Sequence, residues 1–372
     1  MRTPHAHRPH AHRPHAHRPH APRPTADQQA ARRPTPQLPA GHPHPQPARR
    51  GASAPAAAQR RAPGARVRAA LALLTAGLLV SGCSVTFDSG DEEVRSPFTG
   101  EQVEPGPVLA VKLDNAPDAR PHTGLASADI VYASQVEGGL SRLTAIYSGD
   151  LPAETGPVRS ARESDLQLLR TFGDPAFAFS GARSAVLPLI TQSPVEAVTP
   201  DSAPGAFFRS GDRDAPHNLF LRPTEALDDA PGASDASDIG FRFGEAPEGG
   251  RETTEETVRF PSASFGFAWS AEDGAWRVSM DGSPAQDTGT GQVTAATVVV
   301  QYVDVHDSQF PGTPFTETVG SGAATVLRDG RAHDARWQRA SSGDGTRFTG
   351  EDGERLNFAT GPVWVVLAPA PA

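Results

Sequence analysis

The sequence predicts an α+β protein, with an N-terminal α/β domain built on a mixed sheet and a C-terminal, mostly antiparallel β domain. Three observations carry this. Short β-rich runs recur between turn residues in both halves, a single well-marked amphipathic run interrupts them in the first half, and Asp-Gly pairs punctuate the second.

In the first half the runs are VLAVKLD (108–114), ADIVYASQV (128–136) and SRLTAIYS (141–148). The Gly138-Gly139 pair suits a tight hairpin between the second and third, because both residues tolerate positive φ. Ser160 and Glu163 then have capping-box spacing, with Leu166, Leu169 and Phe172 at helical spacing and Gly173 as a stop. AFAFS (176–180) reads as a strand, and RSAVLPLI (183–190) as a short helix that Pro188 bends or breaks. In the second half FGFAWS, AWRVSM, TVVVQYVDV, AATVLR, ARWQRA and VWVVLAP are strands at fairly regular spacing. The Asp-Gly pairs at 281–282, 329–330, 344–345 and 352–353 predict hairpin turns of an antiparallel sandwich or barrel. Between the halves, residues 228–257 are rich in Asp, Glu, Gly and Pro and read as an acidic linker or long surface loop. The folded domains are therefore expected at 107–227 and 258–371.

The net charge of −9 hides a split. Residues 1–82 hold thirteen arginines and one acid, for +12, whereas the remainder holds 21 basic and 42 acidic residues, for −21. An acidic body argues against general affinity for nucleic acid. Residues 1–65 include a tandem five-residue repeat, PHAHRPHAHRPHAHRPH (4–20), and nine of the thirteen histidines. Aliphatic residues are too scarce there to build a core. The segment reads as a disordered extension, or as upstream sequence ahead of a true start near Val67, in preference to a metal-binding tract.

RVRAALALLTAGLLVSGC (66–83) has a positive start, a short apolar core and small residues before the only cysteine. The apolar stretch is shorter than the ~20 residues of a spanning helix and reads as a secretion signal over 66–82. Its ending resembles the lipobox of bacterial lipoproteins. That resemblance implies diacylglycerol on the sulfur of Cys83, cleavage before it, and a palmitate-type anchor at the extracytoplasmic face of the cell membrane. A lone cysteine also leaves no intramolecular disulfide and no zinc-ribbon spacing. The polar, acidic stretch 83–106 reads as a tether, with a reach of roughly 25 Å for about twenty residues.

Polar residues concentrate at expected strand ends in the first domain. Arg159 and Arg162 flank the expected helix start, where an anion belongs unless the chain supplies its own carboxylates. Arg120, Arg142, His217 and Asn218 complete the candidate anion site, since guanidinium forks match carboxylate or phosphate. The competing reading is an internal ion-pair network neutralised by Asp129, Glu137 and Asp165. Glu137 and Asp129 are also candidate catalytic carboxylates for glycan chemistry, which depends on their separation. Ser160 lacks the G-x-S-x-G elbow and reads as a cap rather than a nucleophile. DVHD (304–307) lacks a second His or Cys nearby, so no metal site and no cofactor is expected. The four tryptophans lie in the second half and read mostly as core.

Several runs together resemble the YerB-like bacterial lipoproteins, a family of two linked domains of unknown function. They are PFTG (97–100), AVKLDN (110–115), ARPHTGLASADIVY (119–132), VEGGLSRLTAIY (136–147), GPVRSAR (156–162) and APHNLF (215–220). VVVQY (298–302), GSGAATVLRDGRAHDARWQR (320–339) and GPVWVVL (361–367) continue the likeness. Position 133 is Ala where the family often has Glu. The resemblance implies an envelope lipoprotein and no established reaction. The leading expectation is a non-catalytic binding or scaffold protein with an anionic wall polymer, precursor or envelope protein as partner. The alternatives are an envelope glycan hydrolase or transferase using the acidic residues, and a purely structural tether.

Overall fold

The computed structural model describes residues 94–371. The extension 1–65, the signal segment 66–82, Cys83 and the first part of the tether lie outside the described residues. The last part of that tether is folded: Phe98 is fully buried and meets Phe172 edge-on at 5.4 Å.

Strands dominate, and the described helices are short. The first half supplies β1 (Leu109–Asp114), β2 (Ile130–Gln135), β3 (Ser141–Tyr147), β4 (Ala176–Ala178) and β5 (Glu196–Val198). These five join Thr297–Val303, Gly320–Arg328, Arg331–Arg339, Arg347–Thr349 and Val363–Pro369 in one eleven-stranded sheet, with Arg251–Glu252 paired to Arg331–Arg339 off the main path. The sheet is mixed. β3 runs antiparallel to β1 and β2, while β4 is parallel to β1 and β5.

The expected division into two domains does not divide this sheet. Val363–Pro369 lies parallel to β2, with Val131 opposite Trp364 and Ala133 opposite Val366. A parallel pair needs no tight turn, so residues more than two hundred positions apart can be neighbours without a local signature. The stretch 228–257 is largely irregular, yet Ala230, Ile239 and Phe241 are buried, the last 4.9 Å from Phe358.

Alternation along the strands builds two core faces. Leu109, Val111, Leu113, Val131, Ala145 and Tyr147 share one with Phe265, Phe267, Trp276, Val278 and Trp364. A second antiparallel sheet, led by Glu255–Phe260, Ala263–Ser270 and Ala275–Met280, supplies the latter aromatics. Ala110, Ile130, Tyr132, Ile146 and Val365 share the other face with Leu166, Leu169 and Phe172. Those last residues come from α1 (Glu163–Leu169) and the 3-10 turn after it. Trp276, Trp337 and Trp364 are buried, and Trp269 packs 5.4 Å from Trp276.

Turn chemistry explains two of the Asp-Gly pairs named above. Asp281 and Gly282 have φ of 52° and 78°, and Asp329 and Gly330 have 50° and 70°, as a two-residue hairpin of primed type requires. The pairs at 344–345 and 352–353 lie in irregular turns, where Asp344 and Asp352 are not among the positive-φ residues. Pro188 sits in the first turn of the short helix α2 (Leu187–Thr191), where its missing N–H costs nothing, so it opens the helix rather than breaking it.

Trp364 ties the two halves through this sheet. Truncating Trp364 to Ala is expected to cost about 3–5 kcal/mol. It should also raise hydrogen exchange in β2 and β3, although both belong to the other half of the sequence. Peptide-resolved exchange over residues 130–147 checks this.

Candidate functional site

The α1-facing row of β1 starts apolar at Ala110 and then turns charged, at Lys112 and Asp114. In the cross-strand register Lys112 lies opposite Thr144 and Asp114 opposite Arg142 of β3. Lys112 is fully buried. Its ammonium donates to Asp165 Oδ1 at 2.6 Å and to Thr144 Oγ1 at 3.0 Å. Burial pulls the Lys112 ammonium below its ordinary value, and the Asp165 carboxylate pulls the other way.

Asp165 also sets the start of α1. Its Oδ2 accepts from the backbone N–H of Arg162 at 2.7 Å, so Arg162 is the N-cap residue. This corrects the expected cap at Ser160 and Glu163. The acid three residues after Arg162 takes the reciprocal part of the box and moves the helix start along the chain. Glu163 is left to accept from Ser308 Oγ at 2.8 Å and from the Gln309 amide, and Ser160 Oγ lies 3.4 Å from Ser180 Oγ. The Arg162 N–H ahead of α1 is therefore taken by a carboxylate of its own chain.

Three arginines gather beside this start. Arg162 holds Glu137 in a two-pronged pair, its Nε and Nη2 donating at 2.7–3.0 Å. Burial opposes ionisation of Glu137, but these bonds and the nearby Arg142 keep its carboxyl below the usual range. Arg159 brings Nε to 3.1 Å from Asp114 Oδ2, yet that buried nitrogen makes no aligned hydrogen bond. Among the described residues Arg142 has no carboxylate within ion-pair distance; its Nη1 donates to the Ser160 carbonyl at 3.1 Å. Arg162 Nη1 reaches the same oxygen at 3.2 Å. Two guanidinium groups thus converge on one carbonyl. Burial, together with Arg162 and Arg159, pulls Arg142 down to about 10, while Asp114 and Glu137 pull the other way.

Four cations, Lys112, Arg142, Arg159 and Arg162, therefore share three carboxylates, Asp165, Asp114 and Glu137. Each carboxylate is within ion-pair distance of one of the other three, and Arg142 is the surplus. The cluster sits where the parallel strands β1 and β4 end. Val158 bridges Leu113, the Arg159 N–H donates to the Lys112 carbonyl, and the Ser180 N–H donates to the Arg159 carbonyl. Ligands of open α/β sheets bind beyond the carboxyl ends of parallel strands. Clefts of about 520 Å³ (Arg242, Arg347, Arg355) and 780 Å³ (Glu248, His333, Glu351) lie elsewhere.

The other candidates are engaged. Arg120 pairs with Asp281 at 2.8 Å and donates to the Asn115 side chain and carbonyl, bracing the 275–282 hairpin. Asn218 accepts from Arg209 at 2.7 Å, holding the ends of β6 (Phe207–Arg209) and β7 (Leu219–Leu221). His217 Nδ1 lies 2.9 Å from Asp114 Oδ2. His122 is buried, with Nε2 2.7 Å from the Asp114 carbonyl, and burial pushes it down to about 4.

Asp129 and Glu137 flank opposite ends of β2, roughly 20 Å or more apart along the backbone at ~3.3 Å per residue. Glycan-cleaving pairs stand within about 10 Å, so these two do not form one. Lys112 and Asp114 were missed as site residues; their signal was a charge at alternate positions of an otherwise apolar strand. Among the described residues no group of three His, Cys, Asp or Glu is placed to hold a metal, and no helix is long and apolar enough to cross a membrane.

Residues 97–237 match the model for the N-terminal domain of the protein of unknown function DUF3048, and residues 256–365 match the model for its C-terminal domain. The chain belongs to the DUF3048 family. Family membership accords with the resemblance read from the motifs. The chain is 23% identical over 305 residues to the Bacillus subtilis (strain 168) protein named "Putative lipoprotein YerB", covering 75% of this chain and 87% of that one. The crystal structure of YerB protein from Bacillus subtilis superposes with a TM-score of 0.65 at 22% identity, over 73% of this chain and 96% of that one. The two proteins share the fold, and the DUF3048 name carries no reaction.

Two outcomes are expected. Lys112→Ala leaves Asp165 buried and unpaired and should cost about 3–5 kcal/mol, most of it recovered in Lys112→Met with Asp165→Leu; urea unfolding measures both. Asp129 is pushed up to about 7 by burial, with Glu101 and Asp150 adding to the push and a backbone hydrogen bond at Ser148 opposing it. Between the unfolded value of 3.8 and that raised value the native state holds more protons, so this contribution to stability is complete below the unfolded value and is lost as pH rises through about 7. Asp129→Asn should therefore gain on the order of 2 kcal/mol over the parent at alkaline pH and nothing at strongly acid pH. Urea midpoints across that range check it.

Proposed function

We propose that this DUF3048 protein is a lipid-anchored binding protein of the cell envelope, held at the extracytoplasmic face by Cys83, and that Arg142 and Arg159 take an anionic group of its partner. The observation that carries the site is the surplus guanidinium. Arg142 is largely buried and crowded by two other arginines; Asp114 and Glu137 act on it from beyond ion-pair distance, and its hydrogen bond goes to a carbonyl. A buried cation without a counter-charge is costly, and a phosphate or carboxylate between Arg142 and Arg159 would relieve it. Arg162 belongs to the wall of this site, since Glu137 already occupies its fork. Arg120 and Asn218 serve as struts. The partner class is an anionic wall polymer or a protein bearing such a group.

The similarity to a protein named as a lipoprotein supports the anchor at Cys83. Two acyl chains give stable attachment, whereas one gives marginal binding. On this reading the acidic body stays off the anionic lipid surface and presents one local basic spot.

The full chain, purified in detergent, should bind purified anionic wall polymer. Arg142→Ala with Arg159→Ala should weaken that binding by tenfold or more, because a hydrogen bond to a charged group contributes ~1.5–3 kcal/mol. Unchanged binding by a folded double variant would defeat the site assignment. In the same cells, palmitate labelling should disappear in Cys83→Ala; a label that persists would defeat the anchor.

A further inference from the structure

Asp114 does more than face Arg159. Its side chain is 6% exposed, and its Oδ2 is 2.9 Å from His217 Nδ1. A buried carboxylate in that place holds the proton of a neutral imidazole on Nδ1, which leaves the lone pair on Nε2. His217 Nε2 has no hydrogen-bond partner among the described residues, and the side chain is 19% exposed. The ring is fixed from behind as well. The His217 N–H donates to the Asp214 carbonyl at 3.0 Å, and the next residue, Asn218, is tied to Arg209 and to the Ser210 carbonyl.

A loop strut would be complete with either nitrogen satisfied and the other facing nothing in particular. Here the free nitrogen belongs to a ring oriented by the same carboxylate oxygen that lies 3.1 Å from Arg159 Nε. Arg142 stands opposite Asp114 in the strand register. An oriented base and the Arg159 guanidinium therefore share one buried carboxylate at one strand end, with Arg142 opposite it in the register. That is the pairing of base, base-orienting acid and charge stabiliser that hydrolytic sites use. Guanidinium stabilisers suit a reaction whose charge is spread over phosphoryl oxygens.

We propose that Asp114 and His217 form a general-base couple and that the site hydrolyses a phosphodiester held by Arg142 and Arg159. This rests on reading the arginine cluster as an anion site, and adds turnover to it. Water attacks phosphorus as His217 Nε2 takes its proton, so a new P–O bond forms. The P–O bond to the leaving group breaks, and the departing alkoxide takes a proton from solvent. The imidazolium returns its proton to solvent, and one water has been consumed to give a phosphomonoester and an alcohol. Asp114 positions the ring and stabilises its cation without being protonated itself.

The test uses the full chain in detergent, bis(p-nitrophenyl) phosphate for cleavage and calorimetry with inorganic phosphate for binding. The parent should release nitrophenolate above the buffer blank, with a rate that rises with pH to a plateau. His217→Gln should lose about 100-fold or more of that rate, yet still bind inorganic phosphate. Arg142→Gln with Arg159→Gln should lose both. His217→Ala, regaining rate when free imidazole is added, separates a base from a strut even where one variant is poorly folded. Phosphate binding without hydrolysis by the parent, or His217→Gln turning over as fast as the parent, overturns the couple and leaves the anion reading standing. Absence of phosphate binding by the parent overturns the anion reading itself.

Discussion

The buried pair between Lys112 and Asp165 is the constraint on which the site depends. A lysine fully enclosed in a strand can be tolerated only with a carboxylate and a further acceptor at hand, here Asp165 and Thr144. One oxygen of Asp165 takes the ammonium; the other takes the Arg162 N–H and so decides where α1 begins. That choice places Arg162 just ahead of the helix, within reach of Glu137 beyond the end of β2. It also leaves the segment 157–161 running beside β1, with Arg159 over Asp114. Remove the pair and the register between sheet and helix loses its reason. The guanidinium groups would then have no fixed relation to one another.

The charge balance of the cluster follows from this frame. Each of three carboxylates faces one cation, and the fourth cation, Arg142, shares a carbonyl with a neighbour of like charge. Isolated surface ion pairs contribute little, because water does the same work. This arrangement is different, since Lys112 and Asp165 are enclosed and Asp114 is nearly so. The low dielectric that strengthens the satisfied pairs also raises the cost of the unsatisfied one. An arriving anion would find the cost of orienting its donors already met by the fold.

Much of the local structure was legible in the sequence. The runs at 108–114, 128–136 and 141–148 contain strands, as short, mostly apolar β-rich stretches between turn residues do in a sheet buried on both faces. Gly138 and Gly139 turn the hairpin with φ of 72° each. The four tryptophans belong to the core or its margin. Long-range pairing was not legible. Nothing near Val131 announces Trp364 as its neighbour, so a sheet shared by the two halves was not read from the sequence. The helix cap was misplaced by two residues because Ser160 offers the better local cap; a tertiary demand on Asp165 from Lys112 outweighs it. Paired catalytic acids at Asp129 and Glu137 failed for a simple reason, the length of β2 between them. Asp114 and His217, 103 positions apart, are joined only by the fold.

The central claim is that the end of β1 and β3 carries one more positive charge than its own carboxylates answer, and that this excess faces a ligand. Crystals soaked in selenate and measured at the selenium edge test it most directly. The account predicts an anomalous peak in contact with both Arg142 and Arg159. A map with no peak there, while Arg347 and Arg355 or other surface arginines hold the ion, would contradict it.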